Sequence, residues 1–347
     1  MIRKIVVGVD SSALSRKALR SAIAFAQSCG AELKLVHVLV DNEPGAPRFS
    51  GYFGSSVYPT LSTAVIESYQ TEWNQFVDRS QALLDQQVAD VQEQGINASG
   101  VLLYGSPGAR LCEIAQTADL VIVGSRGLSG ISELLIGSVS NYVLHHAPCS
   151  VMVIHADPNP ADPSPQTAPP LKRILVPLDK SETAQQAMAM AISLAKLHQA
   201  EIRLLHVIDD DDPGLPQKLF FSDSQYISPH SELLFAEYRQ EWNKFINTWW
   251  QTLQLDVDAI EAEGVEAICD VMQGRISQRI CEVAQDWPAD IIVMGCRGFS
   301  GLKELLVGSI SYYVSHRARC SVFITRPTPA KETHSKQETR QVVLAKS

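Results

Sequence analysis

Val123-Gly124-Ser125-Arg126-Gly127-Leu128-Ser129-Gly130-Ile131-Ser132-Glu133-Leu134-Leu135-Ile136-Gly137-Ser138-Val139-Ser140 closes an apolar run that begins at Leu120 and leads into an amphipathic segment, Asn141 to His146. The order is strand, glycine-punctuated loop, helix N-terminus. Such an arrangement suits an anionic ligand, because the first helical turn leaves backbone N–H groups unpaired and the helix dipole favours negative charge. Gly124, Gly127 and Gly137 let the main chain approach, and the hydroxyls of Ser138 and Ser140 offer further donors. The pattern then returns. Met294-Gly295-Cys296-Arg297-Gly298 is followed by nine residues and by Gly308-Ser309-Ile310-Ser311, so the spacing Gly, two residues, Gly, nine residues, Gly-Ser occurs twice.

The repetition extends over the whole chain. Lys4-Ile5-Val6-Val7-Gly8-Val9-Asp10 aligns with Arg173-Ile174-Leu175-Val176-Pro177-Leu178-Asp179 at a displacement of 169; the same offset relates Leu35-Val36-His37-Val38 to the stretch ending in Leu205-His206-Val207, and Glu72-Trp73-Asn74 to Glu241-Trp242-Asn243. From Gly124 onward the offset is 171, because Thr117-Ala118-Asp119 corresponds to the longer Asp286-Trp287-Pro288-Ala289-Asp290. A chain of 347 residues accommodates two such units at roughly 100 to 200 residues per domain. The expected boundaries are a first domain over 1–155, a proline-rich linker over 156–171, a second domain over 172–327 and a polar, mobile tail over 328–347.

Each copy alternates strand and helix. In the first, strands are expected at Lys4 to Val9, Glu32 to Val38, Asn97 to Leu103, Asp119 to Val123 and Ser150 to Ile154. Helices fall between them: one capped by Ser11 or Ser12 and running to about Cys29, a long one from Thr63 stopped by Gly95, and shorter ones at Ala109 to Thr117 and Ser138 to His146. Strand and helix in alternation give right-handed crossovers and a parallel sheet covered on both faces. Ligands bind such sheets beyond the carboxyl ends of the strands, where the strand order reverses. Strands one and four flank that point here.

Charge and composition narrow the function. An apolar fraction of 45% with 19% charged residues describes a globular chain, and a net charge of −9 argues against a general nucleic-acid binder, which needs a basic face. No secretory signal and no membrane span stand out. Seven scattered cysteines without paired metal-ligand spacing read as free thiols in a reducing cytoplasm. Asp209 to Asp212 reads as a solvated turn rather than a metal cluster, and His37 and His206 as satisfied residues at the edge of the core. Two insertions, Asp41 to Leu61 and Asp209 to Pro229, carry the aromatics Phe49, Tyr52, Phe53, Tyr58, Phe220, Phe221 and Tyr226, and read as flaps packed on the protein or as partner-binding arms.

With its duplicated Gly-x-x-Gly, nine-residue, Gly-Ser motif, the chain resembles a tandem universal stress protein of the ATP-binding branch. The resemblance implies two Rossmann-like (HUP-type) domains, each a five-stranded parallel sheet of order 3-2-1-4-5 flanked by helices. It implies that Gly8, Val9, Asp10 and Val38 enclose an adenosine, that Val123, Gly124, Arg126 and Gly127 line the ribose and phosphates, and that Gly137, Ser138, Val139 and Ser140 hold the phosphates. In the second copy the matching positions are Pro177, Leu178, Asp179, Val207, Met294, Gly295, Arg297, Gly298, Gly308, Ser309, Ile310 and Ser311. The implied ligand is ATP, or ADP or AMP, with Mg²⁺ or Mn²⁺ on the phosphates. Asp10 and Asp179 can accept hydrogen bonds from ribose hydroxyls or cap the following helix. Cys296 in place of Ser125 removes a hydroxyl from the second loop.

No Walker A lysine follows either glycine loop, no Gly-x-Ser-x-Gly elbow occurs, and no paired carboxylates stand out. The nucleotide is therefore read as a regulatory ligand. A slow ATP hydrolase or nucleotidyl-transfer enzyme and a nucleotide-free scaffold using the aromatic insertions are the alternatives. The halves are expected to pack as an intrachain pseudo-dimer, which the resemblance places at Ser150 to Ile154 and Ser321 to Thr325. A homodimer of whole chains is a further expectation, and no protein partner is legible.

Overall fold

The structure, a computed structural model, describes residues 2–41, 43–47, 63–126, 136–156, 171–210, 212, 214–216, 229–296 and 307–326. Residues 157–170 of the proline-rich linker, the tail, all seven insertion aromatics, and Gly127, Arg297 and Gly298 lie outside the described residues.

The first copy runs β1 (Lys4–Gly8), α1 (Ala13–Cys29), β2 (Glu32–Leu39), α2 (Thr63–Glu93), β3 (Ala98–Tyr104), α3 (Pro107–Ile114), β4 (Leu120–Gly124), α4 (Ser138–His146) and β5 (Ser150–Ile154). The second repeats the order with β6 (Arg173–Pro177), α5 (Glu182–His198), β7 (Glu201–Ile208), α6 (Pro229–Ala262), β8 (Ala267–Gln273), α7 (Ile276–Asp286), β9 (Ile291–Gly295), α8 (Ser309–Arg317) and β10 (Ser321–Thr325). All ten strands form one sheet in the order β3-β2-β1-β4-β5-β10-β9-β6-β7-β8. Within each half the pairing is parallel with strand order 3-2-1-4-5, as the resemblance implies. Among the described residues the one antiparallel pairing is the junction, where Val322, Phe323 and Ile324 of β10 face Val153, Met152 and Val151 of β5.

Local chemistry sets the elements. Ser12 accepts a hydrogen bond from Ser15 N at 3.1 Å to start α1, and Gly30, at φ 64°, ends it in the left-handed conformation that glycine adopts without a Cβ penalty. Ala18, Ala22, Phe25 and Ala26 form the buried stripe of α1, at the spacing that puts one face of a helix on a sheet. In α5 the equivalent Ala187, Ala191, Leu194 and Ala195 do the same. Small alanines let both helices sit close to the strands. The strands are apolar at successive positions because both faces are covered: Ile5 and Val7 join the layer under α1 and α2, while Val6 joins the layer under α3 and α4.

Two differences from expectation concern α3. It begins at Pro107 rather than Ala109, since proline's missing N–H costs nothing in the first turn, and its last residues, Ala115–Thr117, tighten into a 3-10 turn.

The junction has side-chain ties as well as strand pairing. Phe25 of α1 stacks on Phe323 of β10 with ring centroids 6.3 Å apart. Arg326, just past β10 and buried, reaches across to the end of α4, where Nη1 donates to Ala147 O at 2.6 Å and Nη2 donates to Leu144 O. Among the described residues no helix is long and apolar enough to cross a membrane.

Candidate functional site

In the second half the carboxyl ends of β6, β7 and β9 and the N-terminus of α8 surround a cavity of about 340 Å³. Every described residue expected at this site lines it: Pro177, Leu178 and Asp179 after β6, Val207 in β7, Met294 and Gly295 closing β9, and Gly308, Ser309, Ile310 and Ser311 at the start of α8. In the first half the equivalents hold the same places in the fold. Gly8 ends β1, Val9 and Asp10 follow it, Val38 lies in β2, Val123 and Gly124 close β4, Arg126 follows, and Gly137 to Ser140 open α4.

The glycines at the strand ends are set by packing. A Cβ on Gly295 would lie 2.9 Å from the backbone carbonyl carbon of Thr183, and one on Gly124 would lie 3.0 Å from Leu14 Cγ. The helix starting at α1 or α5 passes directly over the strand end. At the other side of the loop, Gly308 N donates to Cys296 O at 2.7 Å and Gly137 N donates to Ser125 O at 2.6 Å. The exchange of Ser125 for Cys296 thus keeps the main-chain link, and both side chains are buried.

Neither Gly137 nor Gly308 can cap its helix with a side chain. The first helical bonds are Asn141 N to Gly137 O and Tyr312 N to Gly308 O, both 2.9 Å. The N–H groups of Ser309, Ile310 and Ser311 precede that bond, as do those of Ser138, Val139 and Ser140, so each first turn presents a row of donors with the positive end of the helix dipole. The hydroxyls of Ser140 and Ser311 are not part of that row, contrary to expectation. Both side chains are buried: Ser140 Oγ donates to Ser125 O at 3.1 Å, and Ser311 Oγ donates to Gly295 O at 2.8 Å, which pins the helix start to the strand end.

Asp10 and Asp179 shape the turn into the next helix without being its cap. Asp10 Oδ1 accepts from Ser12 N at 2.8 Å, and Asp179 Oδ1 accepts from Ser181 N at 2.9 Å and from the Ser181 hydroxyl. The caps are Ser12 and Ser181.

Among the further side chains that line the second cavity, four form a linked group that the motif did not indicate. His206 Nδ1 lies 2.9 Å from Leu178 O, which accepts its proton, and Nε2 lies 3.0 Å from Asp212 Oδ2. Trp249, from α6, stacks on the His206 ring at 3.4 Å with 16° between planes, and Lys180 Nζ sits 4.7 Å from the indole centroid. Asp212 is therefore not a residue of a solvated turn: its side chain is buried against the histidine. Burial pushes its carboxyl pKa up, and the bond and charge of His206 pull partly the other way. The first half builds the same pair, with His37 Nε2 2.9 Å from Glu43 Oε1 and both side chains buried. The signal for it was available, since Glu43 and Asp212 stand at the 169-residue offset that relates His37 to His206. No such signal marks Trp249 and Lys180, whose equivalents are Ser80 and Ser11.

A model of the universal stress protein family matches residues 1–155 and again 170–326. The chain belongs to the universal stress protein family. Universal stress protein Rv2623 of Mycobacterium tuberculosis is 25% identical over 331 residues, covering 93% of this chain and 96% of its own. Universal stress protein Sll1388 of Synechocystis is 31% identical over 155 residues, 44% of this chain and 96% of its own, so it corresponds to one unit of the tandem. A crystal structure of a universal stress protein from Archaeoglobus fulgidus superposes with a TM-score of 0.60 at 21% identity, covering 93% of this chain and 98% of that one, which establishes the shared fold.

Proposed function

We propose that this universal stress protein is a cytoplasmic ATP-binding signalling protein, with one nucleotide site in each of two domains, 1–155 and 172–327, joined through 156–171. The observation that carries the reading is the second cavity, in which Ser309, Ile310 and Ser311, whose N–H groups have no partner within their own helix, share one hollow with apolar walls and an aspartate. Its volume of about 340 Å³ lies within the range of roughly 300 to 1,000 Å³ usual for small-molecule sites. Leu178, Val207, Met294, Ile276 and Ile280 supply a surface for a purine, and Asp179 stands where ribose hydroxyls would need an acceptor. The α8 N-terminus supplies donors and dipole for phosphates, with Mg²⁺ or Mn²⁺ carried on the phosphates themselves. ADP and AMP would use the same walls and fewer donors.

Occupancy, rather than turnover, is the proposed output. Among the described residues the one imidazole of the cavity wall, His206, has both nitrogens engaged, by Leu178 O and by Asp212. The test is calorimetric titration of the full chain with ATP and Mg²⁺. Two nucleotides per chain are expected; Ser138→Glu or Ser309→Glu, each placing a carboxylate in one cradle, should remove one of them, and the double variant both. Absence of binding of ATP, ADP and AMP to the unaltered chain would refute the reading.

A further inference from the structure

The strand-end histidine and its carboxylate occur twice, and in both copies the carboxylate is only half used. Asp212 gives Oδ2 to His206, and Glu43 gives Oε1 to His37. The second oxygen of each, Asp212 Oδ1 and Glu43 Oε2, is buried and has no hydrogen-bond partner among the described residues. The side chains themselves are 7% and 6% exposed. A buried oxygen left unpaired destabilises the folded chain, and more so when it is charged. A chain that keeps the same orphan at the same offset in both halves retains a liability that a ligand's donor would relieve.

Asp212 lines the cavity, beside Asp179, Lys180 and the Trp249 indole, so a molecule filling that space meets its side chain. His206 is fixed from two other directions, by Leu178 O and by the stacked Trp249, and so holds the carboxylate at one place. His206 occupies the other oxygen, and the carboxylate also feels the like charge of Asp209 and the opposite charge of Lys180. What remains for the free oxygen is a neutral N–H or O–H.

Resting on the nucleotide reading above, we infer that Asp212, with Glu43 as its equivalent, is the specificity-determining acceptor of each site, taking a hydrogen bond from a neutral donor of the bound nucleotide. The donor is the exocyclic amine of the base or a ribose hydroxyl. His206 and His37 are positioning residues that aim it. The carboxylate then rejects ligands that lack the donor, since they leave the oxygen unpaired, which is the strongest discrimination a buried polar group exerts.

The experiment titrates the full chain carrying Ser138→Glu, which confines binding to the second site, with ATP, purine riboside triphosphate, 2′-deoxy-ATP and 3′-deoxy-ATP. One analogue, the one lacking the donor that Asp212 reads, should bind about tenfold more weakly than ATP. Asp212→Asn should weaken ATP by a similar factor and leave that analogue's affinity unchanged, while Asp212→Glu, which installs the first site's residue, should keep both ATP binding and the discrimination. Equal affinity of all four ligands for the Ser138→Glu chain would overturn the inference without any change at Asp212. Uniform weakening of ATP and every analogue by Asp212→Asn would also overturn it, by reducing the residue to a structural role. No binding of ATP even to the chain without substitutions would instead end the nucleotide reading, and this inference with it.

Discussion

Replacing Arg326 with methionine tests whether the two halves are stabilised as one body. The guanidinium is 9% exposed and donates to Leu144 O and Ala147 O, two carbonyls at the end of α4 that have no donor within their own helix. Hydrogen bonds from a charged donor contribute about 1.5–3 kcal/mol each, and a cation at a helix C-terminus adds up to about 1 kcal/mol. Against this stands the cost of burying the guanidinium. Methionine matches the stem but leaves both carbonyls buried and unpaired, so the net loss should be roughly 3 kcal/mol. Urea unfolding of the full chain, followed by far-UV circular dichroism, measures it. Arg326→Lys should recover only part, because one ammonium cannot reproduce the planar fork. A midpoint for Arg326→Met that differs from the unaltered chain by less than about 0.5 kcal/mol would refute the clamp.

His155 is the counterpart of Arg326 at the 171-residue offset, and it behaves differently: it is buried, its Nε2 has no hydrogen-bond partner among the described residues, and burial, then the charges of Lys17, Arg126 and His316, lower its pKa to about 4. Its depressed value means the unfolded chain binds the proton first, so the stability it contributes is complete above pH 6.5 and falls as the pH drops towards 4, by about 3 kcal/mol in all. His155→Leu should flatten urea midpoints between pH 7 and 4.5 by a comparable amount; an unchanged slope would contradict the assignment. Burial raises the thiol pKa values of Cys149 and Cys320 to about 12 and of Cys112 and Cys281 to about 11, so these four should resist iodoacetamide at pH 8 in the folded chain and react in urea. Mass spectrometry of the labelled peptides reads the result, and native labelling at the rate of a free thiol would count against their burial.

The parts of this fold that repeat with a fixed spacing were legible in the chain. Gly124, Gly137 and their equivalents mark a strand end and a helix start because close main-chain approach leaves no room for a side chain there. Gly95, at φ 80°, ended α2 where a glycine was expected to. Contacts between segments far apart in sequence were not legible. Trp249 meets His206 only because α6 lies across β7 with a particular face down, and nothing in the periodicity of a 34-residue helix says which indole will stack. Asp212 was hidden for another reason: within Asp209 to Asp212 any carboxylate looks solvated until the chain's path shows that one of them turns inward. The hydroxyls of Ser140 and Ser311 were misjudged in the opposite sense, since a serine in a helix's first turn can tie down the main chain instead of facing a guest.

Antiparallel pairing of β5 with β10 inverts one half relative to the other. The strands of the first half point their carboxyl ends at one rim of the sheet, and those of the second half at the opposite rim. Between β1 and β6 stand β4, β5, β10 and β9, a lateral separation of about 24 Å at the usual strand spacing. Guests at the two strand-end sites could therefore neither touch nor screen each other's charge. Any sensitivity of one to the other would have to pass through the middle of the sheet, where Phe25, Phe323 and Arg326 bind the halves together.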